Sequence, residues 1–218
     1  NLVVPNQTPV ISMYKNRFIA VMEYSARKNL EGLIQAFVKA FEGDKETCLI
    51  LKLSNIEFTA AKISLALYRL AERAHIYIYS SVLPEYMMPN FLAVGTHYFS
   101  MSYGEGWDLT CNDMAAMKKV VVVPNHSAYS TYLNSEIAYL IDSPIKEPAK
   151  QTPPVDKFFE GANWWVPSID DAVDKLRESV KRDNTEMVEK LYTHIINNYT
   201  WKHVGRKLIN VLFNRGYL

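Results

Sequence analysis

The chain has 218 residues, 49 % of them hydrophobic and 22 % charged, a balance that fits a globular protein and excludes collagen-like, disordered and disulfide-scaffold classes. The formal charge is +1, from 24 basic and 23 acidic residues, so no nucleic-acid partner is expected. Cys48 and Cys111 lie far apart and form no metal-ligand or redox spacing, which points to a reducing, cytoplasmic setting. No apolar run is long enough to span a bilayer, and no signal-peptide pattern opens the chain. The first residue is Asn1, so a fragment or a processed product is expected.

Residues 1–16 read as a linker or extended segment ahead of one domain over residues 17–218. Phe18 to Met22 is the first expected strand. Leu30, Leu33, Ile34, Phe37 and Phe41 then recur at three and four residues, marking the buried face of a helix that begins near Lys28. Thr47 to Leu53 is the second strand, and Ala60, Ile63, Leu67 and Leu70 give the next helix face. His75 to Ser80 and His97 to Ser102 are the third and fourth strands, separated by a short helical stretch from Pro84 to Leu92. Val120 to Val123 is the fifth.

This alternation predicts an α/β fold: a Rossmann-like, doubly wound parallel sheet with helices on both faces. In such sheets ligands bind beyond the carboxyl ends of the strands, so the loops after residues 22, 53, 80, 102 and 123 are the expected seat of chemistry. From about residue 143 to 163 four prolines interrupt any regular element, and a long functional or mobile loop is expected there. Ser168 with Asp171 reads as a capping box. It opens the first of three closing helices over about residues 169–214.

The run SYGEGWDLTCNDMAAMKK from Ser102 to Lys119 leaves the fourth strand and enters a helix expected near Trp107. Gly104 and Gly106 bracket Glu105, which allows tight turns and close ligand approach. The helix start turns its free N–H groups and positive dipole end toward the crevice, a setting suited to phosphate. On spacing alone a strand-to-helix turn with a capping acid explains the same residues. The dinucleotide fingerprint is not completed, since residue 109 is Leu, and no P-loop occurs.

The wider context adds to this reading. Ser102 to Trp107 with Asp113-Met114-Ala115-Ala116-Met117 resembles the nucleotide-sugar site of retaining glycosyltransferases of the GT-B fold, family 4. That family has an S-x-G-E-G-W-G stretch, a second acid eight residues after the first, and an E-A-M-A-x-G run. Arg27-Lys28-Asn29-Leu30, the loop from Ser127 to Leu133, Trp164 to Ser168 and Tyr199-Thr200-Trp201 match further stretches in order, so the resemblance spans about residues 17–214.

The resemblance implies the C-terminal, donor-binding half of a two-domain enzyme that transfers a sugar with retention from a nucleotide diphosphate sugar. The acceptor, a carbohydrate, lipid or protein, would be held by a facing domain, and no metal or other cofactor is implied. Glu105 would contact the donor sugar as the catalytic residue, and Asp113 the ribose hydroxyls, since a carboxylate accepts two hydrogen bonds from a vicinal diol. Lys28 matches the family's phosphate-binding lysine, and Arg27 would replace an arginine whose usual place holds Glu23. Gly104, Gly106 and Trp107 would line the donor, with the base near Val82 and Leu83.

The chain departs from the family at Glu23, Asp113, Lys118 and Thr131, and family glycines are replaced at Met22, Lys118 and Ala128. A non-catalytic module that kept the fold for ligand or protein binding is the alternative. The final helix, which crosses to the other domain in GT-B proteins, is expected to expose apolar side chains near residues 201–218 if this half stands alone. His97 is expected to be a satisfied structural residue and His126 to sit at the crevice.

Overall fold

Six short apolar runs pair into one parallel sheet. They are β1 (Asn16–Glu23), β2 (Thr47–Ser54), β3 (His75–Tyr79), β4 (His97–Phe99), β5 (Val120–Pro124) and β6 (Tyr139–Ile141). The computed structural model describes residues 11–54, 69–149, 159–215 and 217, and the helix expected around Ala60 to Leu70 falls largely outside them. The sheet order is β3-β2-β1-β4-β5-β6, with every neighbouring pair parallel. The order reverses between β1 and β4, and the crevice beyond that point is where doubly wound folds bind ligands.

Alternation along the strands divides the core in two. Phe18, Ala20 and Met22 of β1 join Val120 and Val122 of β5 on one face, beneath α1 (Leu30–Phe41). The opposite face collects Ile19, Val121 and Val123 with residues of α2 (Met88–Ala93), α3 (Leu109–Ala116) and α4 (Tyr129–Tyr132). α5 (Ile169–Lys181) closes the first face through Ala172 and Leu176, and α6 (Thr185–Asn198) closes the second through Leu191 and Ile195. Burial on both faces explains why these strands read as near-continuous apolar runs.

Several boundaries differ from expectation. The fourth strand is three residues long: Ser100 still donates its N–H to the Val122 carbonyl of β5 at 3.1 Å, and Met101 and Ser102 then leave the ladder, although all three stay buried. The sixth strand was not foreseen; its three residues lie among tyrosines and turn residues and carry no alternation to read. The proline-rich stretch is partly ordered: β7 (Ile145–Pro148) and β8 (Asn163–Val166) form an antiparallel pair, with residues 150–158 outside the described set. Ile11 is buried and the Tyr14 hydroxyl lies 2.8 Å from that of Tyr77, so residues 11–16 pack on the domain.

Ser168 caps α5 as expected, accepting from the Asp171 N–H at 3.2 Å. The reciprocal half of the box is redirected, since Asp171 accepts from the N–H of Asp142 and ties the helix start to the end of β6. His97 is structural: its ring stacks on Phe18 at 4.4 Å and its nitrogens meet Thr96 and the Ser179 carbonyl. Burial lowers its pKa to about 4, so it is neutral at pH 7.

The final helix, α7 (Trp201–Asn214), buries none of its residues. Trp201, Leu208, Ile209 and Phe213 are all exposed, the apolar exposure expected near residues 201–218. No helix among the described residues is long and apolar enough to cross a membrane.

Candidate active site

The chain leaves β1 into a single 3-10 turn, Ala26–Lys28, and enters α1 through Asn29 in the left-handed conformation, φ 51°. Asn29 does two things. Its Oδ1 accepts from the Gly32 N–H at 3.1 Å, capping α1, and its Nδ2 donates to the Met101 carbonyl at 3.0 Å. The Arg27 carbonyl accepts from the Tyr103 N–H at 2.8 Å and from the Ser102 hydroxyl at 3.2 Å. The loops after β1 and β4 are thus stitched together, although 75 residues separate Arg27 from Ser102.

That stitching brings three expected site residues into contact. Lys28 Nζ donates to Glu105 Oε1 at 2.6 Å, and Arg27 Nη1 lies 3.0 Å from Glu105 Oε2. Arg27 Nη1 also donates to the Gly104 carbonyl. The Glu105 side chain is only 7 % exposed, against 17 % for Lys28 and 28 % for Arg27. Charge-assisted bonds of this kind gain strength as water is excluded.

A third loop, after β5, supports Glu105 from behind. The Ser127 hydroxyl accepts from the Glu105 N–H at 3.1 Å, and the Ala128 N–H donates to the Glu105 carbonyl. Ser127 itself is left-handed, φ 50°, in the loop where the resembled family carries two glycines. His126 Nδ1 lies 3.2 Å from the Ser127 hydroxyl. Burial lowers the His126 pKa to about 4 against the opposing pull of Glu105, leaving a buried neutral imidazole beside Ser127.

Asp108 was not foreseen as a site residue. It stands where the S-x-G-E-G-W-G stretch ends in glycine, and it holds the left-handed conformation, φ 64°, that a glycine there would adopt without cost. Its Oδ1 caps α3 through the Cys111 N–H at 3.3 Å. Its Oδ2 accepts from the Tyr98 hydroxyl at 2.8 Å and from the Tyr129 hydroxyl. Burial, reinforced by the nearby Glu105 charge, raises the Asp108 pKa, while the two phenols and Lys28 oppose the rise. The helix therefore begins at Leu109 rather than Trp107, with a resident anion already at its positive end.

The other expected residues are dispersed. Gly104 and Gly106 have no positive φ, and a side chain at either would meet nothing within 4 Å, so both border open space. Trp107 turns inward, its ring stacked on Tyr132 at 4.7 Å and tilted against Tyr199 at 5.2 Å. Asp113 is exposed on α3; partial burial and the Asp108 charge raise its pKa. Val82 and Leu83 follow β3 at the same carboxyl-end edge, with Val82 fully exposed to solvent and Leu83 half-buried. Glu23 closes β1 at the surface.

This topology, with a crevice built by the loops after β1, β4 and β5, is the half-domain fold of GT-B glycosyltransferases. The chain is similar to the C-terminal domain of a glycosyl transferase group 1 family protein (LpcC) from Francisella tularensis, at TM-score 0.65 and 12 % identity over 92 % of this chain and 96 % of that one. S. aureus TarM, in a variant complexed with fondaparinux, alpha-GlcNAc-glycerol and UDP, matches 96 % of this chain at TM-score 0.66 and 16 % identity. A glycosyltransferase from Rickettsia africae matches 96 % of the chain at TM-score 0.69 and 14 % identity. The chain spans 36 % of the TarM structure and 52 % of the Rickettsia one. No family model and no curated protein sequence matches it.

Proposed function

We propose that the chain is the donor-binding half of a glycosyltransferase that transfers a sugar, with retention, from a nucleotide diphosphate sugar. The observation that carries this reading is the meeting of Arg27, Lys28 and Glu105 at the switch point of the sheet, with both ion pairs at or below 3.0 Å. Breaking a glycosidic bond to a diphosphate leaves negative charge on the departing oxygens, and preorganised cations lower that barrier most where water is scarce. Lys28 and Arg27 supply that charge, so the reading calls on no metal. Glu105 then faces the sugar, Asp113 the ribose, and the exposed segment at Val82 and Leu83 the base.

The acceptor and its binding domain are assigned to a partner that covers α7. UDP bound in the TarM complex supports the choice of a nucleoside diphosphate ligand, and the free, buried Cys48 and Cys111 support a reducing, cytoplasmic setting. Calorimetric titration of nucleoside diphosphates and their sugars tests the reading. Binding that is lost in Lys28→Ala is the expected result; no binding at millimolar ligand, or binding indifferent to that substitution, overturns it.

One observation favours the second reading, a non-catalytic module. Both features that attract phosphate already hold carboxylates of the chain itself, Glu105 on the cations and Asp108 on the helix end. A ligand-binding module without turnover would show nucleotide affinity but no release of sugar when supplied with the facing domain and an acceptor.

A further inference from the structure

Arg27 and Lys28 each carry one positive charge, and Glu105 spends both of its oxygens on them. Oε1 holds Lys28 at 2.6 Å, and Oε2 faces Arg27 at 3.0 Å. These are the same two cations to which the reading above assigns the diphosphate. A carboxylate and a phosphate are competing acceptors for one set of N–H donors. They cannot both satisfy Lys28 and Arg27 in this arrangement.

We infer that Glu105 is an internal counter-ion that a diphosphate must displace, so that the residue expected to touch the sugar also limits affinity for the nucleotide. The inference rests on the diphosphate reading and adds an exchange to it. In the free protein Glu105 keeps the two cations paired and aligned. On binding, Lys28 and Arg27 pass their hydrogen bonds to phosphate oxygens, and the released carboxylate turns to the sugar hydroxyls. Glu105 thereby becomes available to the sugar only after the diphosphate has seated.

The surroundings favour exchange of the side chain over collapse of the loop. The Glu105 backbone is held at both ends, its N–H by the Ser127 hydroxyl and its carbonyl by the Ala128 N–H. Gly104 and Gly106 on either side carry no side chain and border open space, so neither neighbour in the loop blocks a change of the Glu105 rotamer. Asp108 stays fixed by two phenols and a helix N–H. Only Glu105 is bonded through groups that a ligand would take over.

The test is a comparison of wild type with Glu105→Gln, which keeps the volume and removes the charge, and with Glu105→Ala. Uridine, guanosine and adenosine diphosphates are titrated by calorimetry at low and high salt. The expected result is counter-intuitive for a residue assigned to the catalytic face: both variants bind the preferred diphosphate more tightly, by about tenfold. They should also lose affinity more steeply as salt rises, because the cations then lack a resident anion.

Equal or weaker binding by both folded variants, alongside wild-type binding that Lys28→Ala abolishes, overturns the exchange and leaves the diphosphate reading standing. Absence of binding in all three proteins overturns both. A wild-type structure with bound diphosphate supplies a measurement independent of variant folding. Glu105 away from Lys28 supports the exchange, and Glu105 still paired to both cations refutes it.

Discussion

Glu105 and Asp108 are two carboxylates three residues apart in one loop, and their surroundings are opposite in kind. Glu105 is paired with two cations and bonded to no phenol; Asp108 is bonded to two phenols and a helix N–H and paired with no cation, feeling Lys28 only at a distance. Ion pairs at the mouth of a crevice can be handed to an incoming anion, whereas a carboxylate enclosed by neutral donors has nothing to exchange. The first arrangement suits ligand binding, and the second suits holding α3 and the crevice loop in place.

The largest expected effect is on the fixed member. Asp108→Ala leaves the buried Tyr98 hydroxyl without its acceptor, leaves Tyr129 only the Ser100 hydroxyl at 3.1 Å, and removes the cap of α3, at a combined cost of about 3 kcal/mol. The melting temperature should fall by roughly 6–12 °C for a chain of this size. Asp108→Asn, whose amide can still accept from the helix N–H, should cost about 1 kcal/mol or less. If the alanine variant melts within a degree or two of wild type, the network is ornamental and the contrast with Glu105 fails.

Acid sharpens the comparison because the buried histidines and Asp108 respond to it with opposite sign. His97 and His126 have folded pKa values of about 4, below the ordinary value of about 6.5. The unfolded chain therefore takes up protons first, and the stability that neutral histidines allow is present above about pH 6.5 and lost as the pH falls toward 4. Asp108, with its pKa raised, does the reverse, gaining stability as the pH falls through the range just above the ordinary carboxylate value. Both histidine shifts are large, and together they outweigh Asp108 and the likewise raised Asp113. Melting temperature should drop between pH 7 and 5, and His126→Asn should flatten that drop while Asp108→Asn steepens it. A flat profile in the wild type counts against both assignments.

A smaller effect on stability but a clear one on ligand separates the exchangeable member. Lys28→Met removes one of the two partners of Glu105, with a folding cost of about 1–2 kcal/mol, since the carboxylate is largely buried but keeps Arg27. Nucleoside diphosphate affinity should nevertheless fall about tenfold or more. Wild-type affinity in the folded Lys28→Met variant would make Lys28 a structural residue.

Much of the fold was legible because five of the six strands are buried on both faces and stand as apolar runs between helical periods. β6 was not legible, since Tyr139, Leu140 and Ile141 pair only along one edge and show no alternation. The meeting of Arg27 and Lys28 with Glu105 followed from topology plus the resemblance. The ion pairing among them did not, because spacing along the chain says nothing about which of two acceptors a cation holds when no ligand is bound. Asp108 hid for a different reason. A capping acid at a helix start is ordinary, and its two phenolic partners, Tyr98 and Tyr129, sit 10 and 21 residues away on other elements.

The smallest expected effect concerns backbone strain. Asn29, Asp108, Lys118 and Ser127 all hold positive φ without being glycine, and Lys118 stands at a position where the resembled family carries one. Each such residue costs about 1 kcal/mol relative to glycine. Asn29 and Asp108 offset that cost through caps, but Ser127 offsets it only through its hydroxyl, the acceptor for the Glu105 N–H. Ser127→Ala and Ser127→Gly both delete that acceptor, and only glycine also relieves the strain. Ser127→Ala should therefore be the less stable of the two by about 1 kcal/mol, with Ser127→Gly near wild type in chemical denaturation. Nucleotide affinity should fall in both, since each frees the backbone that aims Glu105. If the two variants are equally stable, the left-handed turn is unstrained and Ser127 is kept for its hydroxyl alone.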